Sequence, residues 1–265
     1  MEISGIRIDI TVGELEVYRA PSWWIESLRH FPLSRAGITL PDPSGDLART
    51  VKKGDPVSLT LGYRNQEPTV WTGVVSTVEP GETQDQLEVR CVDGALPLTT
   101  TTIFQSWENE TPEAIIAWAI RQAGLTPAVL GTTGITLPRV SAARIPVWQL
   151  VRQLRQTCHD SHGMDMSNWA LWLGRDGVNW GGHDEPGDTI TIGTGENLLD
   201  HQPNDWTSGM GMIETVLLAD LTHSRRIHLV DDRRGIDTLH RALRVRHQGQ
   251  PDRVRTFVWY GEEHG

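Results

Sequence analysis

An alternation of apolar and polar residues along the first 93 positions most constrains the fold of this chain. Apolar residues recur at every second position, which is the period of half-buried β-strands. The clearest segments are 6–10, 15–17, 57–63 and 87–91. Clusters containing Gly or Pro, such as 53–56 and 79–81, separate them as turns do. The sequence therefore predicts a small antiparallel β-barrel or sandwich in a first domain, residues 1–105.

Residues 21–50 interrupt this alternation. They contain Trp23, Trp24 and Phe31, together with a turn-rich stretch around Pro41-Asp42-Pro43-Ser44-Gly45. We interpret this segment as a long excursion from the sheet, because long loops without regular structure are usually functional or mobile.

The period changes from two to that of a helix after residue 110. Thr111 precedes Pro112, an N-cap residue followed by a proline at the first helical position, and Gly124 ends the run. A second helix is predicted from Pro146, because the apolar residues between Val147 and Cys158 form one stripe at helical spacing.

From Trp169 the pattern returns to strands. The predicted strands are 169–173, 178–180, 189–192, 213–219, 227–230, 239–247 and 254–260. The fold class is therefore α+β and mainly β. The order is a first β-domain, residues 1–105, a helix-containing α+β domain, 106–185, and a second β-rich part, 186–265.

Charge and composition narrow the function. The net charge of −10 argues against general affinity for nucleic acid, because such binding depends on Lys and Arg. Residues 223–265 hold nine arginines and six acidic residues, whereas the first 222 residues hold 15 basic and 28 acidic residues. This asymmetry indicates a surface built for a partner. The chain also has 11 Trp, and Arg and Trp are residues that protein interfaces favour.

Other features indicate where in the cell the chain folds. No apolar run approaches the roughly 18 residues of a spanning helix, and the N-terminus lacks the pattern of a secretory signal, so we expect folding in the cytoplasm without membrane insertion. Cys91 and Cys158 lie far apart in sequence and fit neither a disulfide framework nor a zinc motif. Both are predicted to be buried thiols.

The densest polar cluster is Cys158-His159-Asp160-Ser161-His162, followed by Asp165. Imidazoles and carboxylates can bind metals or act as acids and bases, so His159, His162 and Asp165 are candidates for such a site. Their spacing matches no zinc motif, and the segment lies where a helix ends. We therefore assign the chain no catalytic, cofactor-binding or metal-binding residue and predict that it is not an enzyme.

Three further patterns contain residue types that occur in functional sites. Gly193-Thr194-Gly195-Glu196-Asn197 lacks the ending of a phosphate-binding loop and is predicted to be a turn at a strand end. The adjacent carboxylates Asp231-Asp232 and Glu262-Glu263 cannot face each other across a cleft as glycosidase chemistry requires, so solvated turns are predicted there. Trp169 and Trp172 point to opposite faces of one strand, which places at least one of them in the core.

Several segments, in their order, resemble one family. They are Val51-Lys-Lys-Gly-Asp-Pro-Val-Ser-Leu-Thr-Leu-Gly-Tyr63, Val70-Trp-Thr-Gly-Val-Val-Ser-Thr-Val78, Leu87-Glu-Val-Arg-Cys-Val-Asp93, Thr111-Pro-Glu-Ala-Ile-Ile-Ala-Trp-Ala-Ile-Arg-Gln-Ala-Gly-Leu125, Ile145-Pro-Val-Trp-Gln-Leu-Val-Arg-Gln-Leu154 and Leu171-Trp-Leu-Gly-Arg-Asp-Gly-Val178. Together they look like the late control protein D and baseplate hub family of contractile-tailed phages. The resemblance covers most of the chain.

This resemblance implies a structural virion protein of the tail baseplate, made in the host cytoplasm. It implies a homotrimer in which each subunit offers two tube-like β-barrels to a sixfold tail tube. The implied partners are the tail tube or distal tube protein, the central spike and the tape measure protein, with DNA only in passage. If the excess carboxylates lined the channel, they would repel the passing DNA.

Two kinds of alternative stay open. The chain could be the hub of a non-contractile tail or of a phage-derived injection machine, with the same domains. The chain could also belong to another class of protein: a cell-wall hydrolase that uses the region from His159 to Asp165, or a monomeric carbohydrate-binding β-module.

Overall fold

The structure is a computed structural model that describes residues 5–17, 22–203 and 210–261. Strands make up most of the regular structure in these residues, so the predicted α+β, mainly β fold class is confirmed. None of the described helices is long and apolar enough to cross a membrane.

The elements are numbered along the chain. The strands are β1 Ile6–Val12, β2 Leu15–Val17, β3 Ser22–Leu28, β4 Arg35–Pro41, β5 Pro56–Tyr63, β6 Thr69–Pro80, β7 Gln86–Asp93, β8 Thr102–Glu110, β9 Pro127–Leu130, β10 Leu137–Pro146, β11 Ala170–Gly174, β12 Gly177–Gly181, β13 Ile190–Gly193, β14 Leu198–Gln202, β15 Gly211–Thr215, β16 Arg226–Asp231, β17 Ile236–Arg241, β18 Arg244–Gln250 and β19 Arg253–Tyr260. The helices are α1 Asp46–Thr50, α2 Pro97–Thr100, α3 Pro112–Gln122 and α4 Val147–His162.

One sheet of eleven strands dominates the fold. Its order is β14-β15-β19-β18-β3-β4-β7-β6-β5-β1-β2. The N-terminal and C-terminal strands meet where β3 pairs antiparallel with β18, with Glu26 opposite Arg246. In the described residues the end strands β2 and β14 do not pair with each other, so this sheet is not a closed barrel.

The predicted arrangement of two separate small barrels is therefore not confirmed. Alternation along a strand determines which face each side chain occupies. It does not determine which strand lies alongside, and β3 and β18 are near opposite ends of the chain. The pairing that joins the two β-rich parts could not be read from the pattern.

Two hydrophobic cores support the β-rich parts. The first core consists of Ile10, Val12, Trp23, Ile25, Ala36, Ile38, Leu40, Val51, Val57, Leu59, Leu61, Tyr63, Val75, Leu87, Val89, Cys91, Leu217 and Val254. The second core consists of Ile192, Ile213, Leu218, Leu221, Ile227, Leu229, Ala242, Val245, Val258 and Tyr260. With few exceptions, each core draws its residues from one end of the chain.

The chain divides into two compact units. The first holds the eleven-stranded sheet and the small sheet β13-β16-β17, and the second comprises Arg29–Leu33 and Ala95–Glu185. The functional division into domains 1–105, 106–185 and 186–265 stays a prediction.

The second unit contains both predicted helices, which are confirmed. The Thr111 hydroxyl accepts a hydrogen bond from the Ala114 amide (3.3 Å) and caps the start of α3. Helix α4 ends at Gly163, whose φ of 66° suits a glycine. Its apolar stripe, which includes Cys158, is buried as predicted. Cys91 is buried in the first core, and burial raises its pKa to about 12.

The interpretation of residues 21–50 as a loop excursion is wrong for its described part, 22–50. That part holds β3, β4 and α1, and both strands lie inside the large sheet. Buried Trp23 and Ile25 alternate with half-exposed Trp24 and Glu26, which is the period of a strand. Because Trp occupies both faces, the apolar alternation is hidden when the residues are sorted by hydrophobicity alone.

Candidate assembly surface

Four neighbouring strands of the large sheet present one continuous half-exposed surface. Along β15, β19, β18 and β3, residues buried in a core alternate with residues that are partly open to solvent. We call the partly open set the arginine–tryptophan face, and it consists of Trp24, Glu26, Glu214, Arg244, Arg246, Arg255, Phe257 and Trp259. The alternation of the strands is what places these side chains together.

Glu26 lies on β3, the outermost of these four strands, and arginines of β18 approach its carboxylate. The Arg244 guanidinium donates two hydrogen bonds to Glu26 Oε1, from Nε (3.0 Å) and from Nη2 (2.5 Å). The same guanidinium lies 4.3 Å from the ring centre of Trp259. A cation held by a carboxylate and an aromatic ring loses little conformational freedom when a partner arrives, because its position is already set.

Arg246 shares the same carboxylate but less closely. Its Nη1 lies 3.9 Å from Glu26 Oε1, its guanidinium lies 5.0 Å from the Trp24 ring, and its buried Nε has no hydrogen-bond partner among the described residues. Desolvation lowers the pKa of Arg246, Glu26 opposes this effect and Arg244 adds to it. Two guanidinium groups thus depend on one carboxylate, so positive charge is incompletely compensated here.

A second pair lies on the other side of the face, where Arg255 approaches Glu214 (3.2 Å). A recess of about 140 Å³ opens beside it, lined by Glu214, Gln248, Gln250, Arg253, Arg255 and Phe257. This volume is below that of usual small-molecule sites, so the surface suits a macromolecular partner better than a small ligand. Three arginines and two glutamates on the face also mean that it is not acidic.

The polar cluster at the end of α4 lies on the surface of the second unit. His159 and His162 are exposed, and His159 Nδ1 contacts only the Met164 carbonyl oxygen (3.2 Å) among the hydrogen bonds formed by described residues. Asp165 accepts a hydrogen bond from the Ser167 amide (2.9 Å), which lowers its pKa. Within the described residues no group of three His, Cys, Asp or Glu side chains could hold a metal ion.

A wide groove of about 940 Å³ runs along the exposed face of α4. Its lining is polar and comes from α4 and the segment after it: Gln149, Arg152, Gln153, Arg155, Gln156, His159, Asp160, Asp165, Met166 and Ser167. The groove brings His159, Asp160 and Asp165 to one surface.

Segment 193–197 is a turn between β13 and β14, as predicted. The Asn197 side chain accepts a hydrogen bond from the Gly193 amide (2.9 Å) and donates one to the Thr191 carbonyl (2.9 Å). The Gly193 amide is thereby used within the turn, which differs from a loop whose amides point toward a phosphate.

The prediction of a solvated turn is wrong for Asp231. This carboxylate is buried, bonds to His201 Nδ1 (2.7 Å) and accepts from Arg234 (2.9 Å), while His201 Nε2 bonds to the Tyr260 hydroxyl (2.6 Å). The hydrogen bond to His201 lowers the pKa of Asp231. Asp231 continues the buried alternation of β16, a signal present in the sequence. Asp232 is exposed, and Glu262-Glu263 lies outside the described residues.

Two tryptophans of the second unit are core residues. Trp172 and Trp180 are fully buried, and the Trp172 indole donates to Glu185 (2.5 Å). Trp169 packs edge-on against Trp180, with ring centres 4.6 Å apart. Trp172 therefore has no open ring face on which a sugar could stack.

The sequence matches no protein-family profile and no curated protein. Its fold matches solved structures over nearly the whole chain. A 43 kDa tail protein of prophage MuSo2 from Shewanella oneidensis has a TM-score of 0.72 at 10% identity, covering 98% of this chain and 97% of that one. A tail protein from Neisseria meningitidis MC58 has a TM-score of 0.69 at 14% identity, covering 98% and 97%.

A third similar structure is the c3393 protein of E. coli. It is described as a component of the type VI secretion system with structural similarity to the T4 bacteriophage tail proteins gp27 and gp5. Its TM-score is 0.65 at 10% identity, and the match covers 97% of this chain and 76% of that one. At identities this low, the three comparisons show a shared fold.

Proposed function

We propose that the chain is a structural subunit of a phage-type tail: the baseplate or tail hub that connects the tail tube to the central spike and forms part of the DNA channel. One observation carries the proposal. Two β-rich regions with separate cores are joined into a single sheet by the pairing of β3 with β18. A homotrimer of such chains offers six β-rich regions, which suits a sixfold tube.

The fold comparisons support this proposal, because two of the similar structures are tail proteins and the third is a secretion-system component with tail-like structure. The arginine–tryptophan face supports it independently. Two of its three arginines lie over aromatic rings, which suits a protein partner. The proposed partners are further copies of the chain, the tail tube or distal tube protein, the central spike and the tape measure protein.

DNA enters this proposal only as cargo in passage through the virion. The arginine–tryptophan face gives no support to a channel wall lined by carboxylates, because its arginines outnumber its glutamates. A hub of a non-contractile tail or of an injection machine would use the same fold with different neighbours. No specific observation among the described residues supports the hydrolase or the carbohydrate-binding alternative.

The mass of the protein in solution tests the proposal. Light scattering across a concentration series is expected to give three times the chain mass of 29.6 kDa at the upper concentrations. The measurement is repeated with the candidate spike protein present. A protein that stays monomeric in both series would contradict the hub proposal.

A further inference from the structure

The Trp24 ring on the arginine–tryptophan face lies over a neighbouring strand that has no side chain in its way. Gly37 of β4 is opposite Trp24, and any side chain at position 37 would collide with the indole ring. A glycine inside a strand weakens it and often marks the close approach of another group. The guanidinium of Arg246 lies over the same ring, 5.0 Å from its centre. Gly37 therefore allows Trp24 to support Arg246.

The charges around Arg246 do not balance. Arg246 lies opposite Glu26 on the neighbouring strand, and Arg244 lies opposite Leu28, two residues further along β3. Arg244 donates both of its hydrogen bonds to Glu26 Oε1. The Nη1 of Arg246 remains 3.9 Å from that oxygen, which is too far for a hydrogen bond. One carboxylate thus serves two guanidinium groups, and Arg246 is the less well satisfied of the two.

Arg246 keeps hydrogen-bonding capacity that the described residues do not use. Its Nε is buried and has no hydrogen-bond partner among them. The side chain as a whole is 30% exposed, whereas that of Glu26 is 14% exposed. A group that approaches from solvent therefore reaches the arginine more readily than the carboxylate. Because a guanidinium binds a carboxylate through two parallel N–H groups, an incoming carboxylate would use donors that no described residue uses.

Aromatic rings flank this position. Across the β18–β19 pair, Phe257 lies opposite Arg246. Trp259 lies opposite Arg244 in the same pair, and all four side chains are half-exposed. Trp24 lies on the other side, on β3. Trp and Arg are among the residues that contribute most to binding at protein–protein interfaces. The site therefore offers apolar contacts on both sides of one incompletely paired cation.

A polypeptide that carries a carboxylate fits this face better than DNA does. Binding of a duplex depends on several arginines or lysines that neutralise consecutive phosphates. On this face Glu26 and Glu214 lie among the arginines, and Glu214 pairs with Arg255 at 3.2 Å. A run of phosphates would meet these carboxylates, whereas a single carboxylate can bind to Arg246 alone.

We propose that Arg246 receives a carboxylate from an acidic segment of a partner protein. Apolar side chains beside this carboxylate pack on the three rings, Trp24, Phe257 and Trp259. This inference rests on the proposed function, in which the arginine–tryptophan face is an assembly surface. Two carboxylates, one from each protein, then balance the guanidinium groups of Arg244 and Arg246. The chemistry that the face recognises is an acidic residue between apolar ones.

Peptide binding measured by fluorescence anisotropy tests this inference. The probe is a labelled peptide of repeated Gly-Leu-Glu-Leu units, and its matched control peptide carries Gln in place of Glu. We expect the acidic peptide to bind the unaltered protein about five- to tenfold more tightly than the control peptide, because only a carboxylate forms charge-assisted hydrogen bonds with Arg246. Equal binding of the two peptides, or no binding of either, would overturn the inference.

Two substitutions on the face have opposite expected effects. Arg246→Gln should abolish the preference for the acidic peptide. Glu26→Gln should raise the affinity for that peptide about two- to fivefold, since it removes the carboxylate that competes for the two arginines. A variant that had merely misfolded would not bind more tightly. Arg49→Gln removes an exposed arginine from α1 and is the matched control, which should leave binding unchanged. A loss in this control equal to that in Arg246→Gln would contradict the inference.

Other occupants of the face give different results. If duplex DNA binds as tightly as the acidic peptide and Arg246→Gln releases it, phosphate is the ligand and the inference is overturned. If light scattering shows a trimer for the unaltered protein but a monomer for Arg246→Gln, a second copy occupies the face and the inference is again overturned.

Failure of the hub proposal is distinguishable from failure of this inference. A protein that stays monomeric with the spike protein present, but binds the acidic peptide through Arg246, would contradict the hub proposal alone. A trimer that binds neither peptide would contradict this inference alone.

Discussion

The two cores of the first unit achieve stability by different means. The first core is built from aliphatic side chains with two aromatic rings and a thiol, and the one buried hydroxyl, that of Tyr63, donates to the Leu217 carbonyl (3.0 Å). The second core is smaller, and next to it are buried titratable groups: His201, Asp231 and His247. The first core is therefore expected to be insensitive to pH, and the second to be acid-labile.

The largest expected effect tests the first core. Leu59 is fully buried, and Leu59→Ala removes buried apolar surface and leaves a cavity. We expect the free energy of unfolding to fall by about 3 kcal/mol, measured by urea denaturation. The loss should be the same at pH 7 and pH 5. A loss that grows as the pH falls would contradict the expected difference between the two cores, because nothing in the first core titrates in that range.

The second effect is the pH dependence from His247. Its Nε2 bonds to the Leu221 carbonyl (2.9 Å) and its Nδ1 to the Thr256 hydroxyl (3.0 Å), and burial lowers its pKa to about 4. The unfolded imidazole binds a proton below its ordinary pKa of 6.5, whereas the folded one stays neutral until about pH 4. The free energy of unfolding therefore falls by up to about 3 kcal/mol as the pH is lowered from 6.5 to about 4.

His247→Gln checks the origin of this slope. The variant should lose some stability at pH 7 but show a flatter dependence of unfolding free energy between pH 6.5 and pH 4. Leu59→Ala is the control, since it should keep the slope of the unaltered protein. An unchanged slope in His247→Gln would assign the acid sensitivity to another group.

A smaller effect is expected from Asp231→Ala. The substitution leaves His201 Nδ1 buried without its carboxylate partner, which costs about 2 kcal/mol at pH 7. Because the pKa of Asp231 is lowered in the folded state, its contribution is present above the ordinary value of 3.8 and is lost as the pH falls through the lower folded pKa. The difference between variant and unaltered protein should shrink in acid, and a constant difference would sink the assignment.

The smallest effect concerns the arginine–tryptophan face. Glu26→Gln removes the carboxylate shared by Arg244 and Arg246, and we expect a loss of about 0.5 kcal/mol that becomes smaller in high salt. Asp46→Asn disrupts the more exposed pair with Arg49 and serves as the control, with no measurable change. Equal losses in the two variants would show that the face contributes nothing special to the fold of the single chain.

Local sequence signals predicted the helices and strands whose formation depends on residues close together in the sequence. Thr111 and Pro112 marked the start of α3, and the stripe from Val147 to Cys158 marked α4. Alternation found β5 and β7, in which buried apolar residues recur at every second position. It missed β8 and β10, because most of their residues are exposed and their alternation is weak.

The sequence indicated that an interface exists but not which residues form it. The abundance of Arg and Trp indicated an interface, but the residues that form it come from β3 and from the last strands of the chain. Their contact depends on strand pairing across most of the sequence, which composition does not encode. The buried role of Asp231 was missed because a carboxylate at a strand end was taken for a turn residue.

The pairing of β3 with β18 also sets the order of events during synthesis. Arg244, which binds Glu26, follows it by 218 positions. At ribosomal rates of about 5–20 residues per second, β3 waits roughly 10 to 40 s for its neighbour. During that time its edge is open to wrong partners. Only a chain that extends through β18 can cover it, so chains that stop earlier keep an open strand edge that quality-control proteins can recognise.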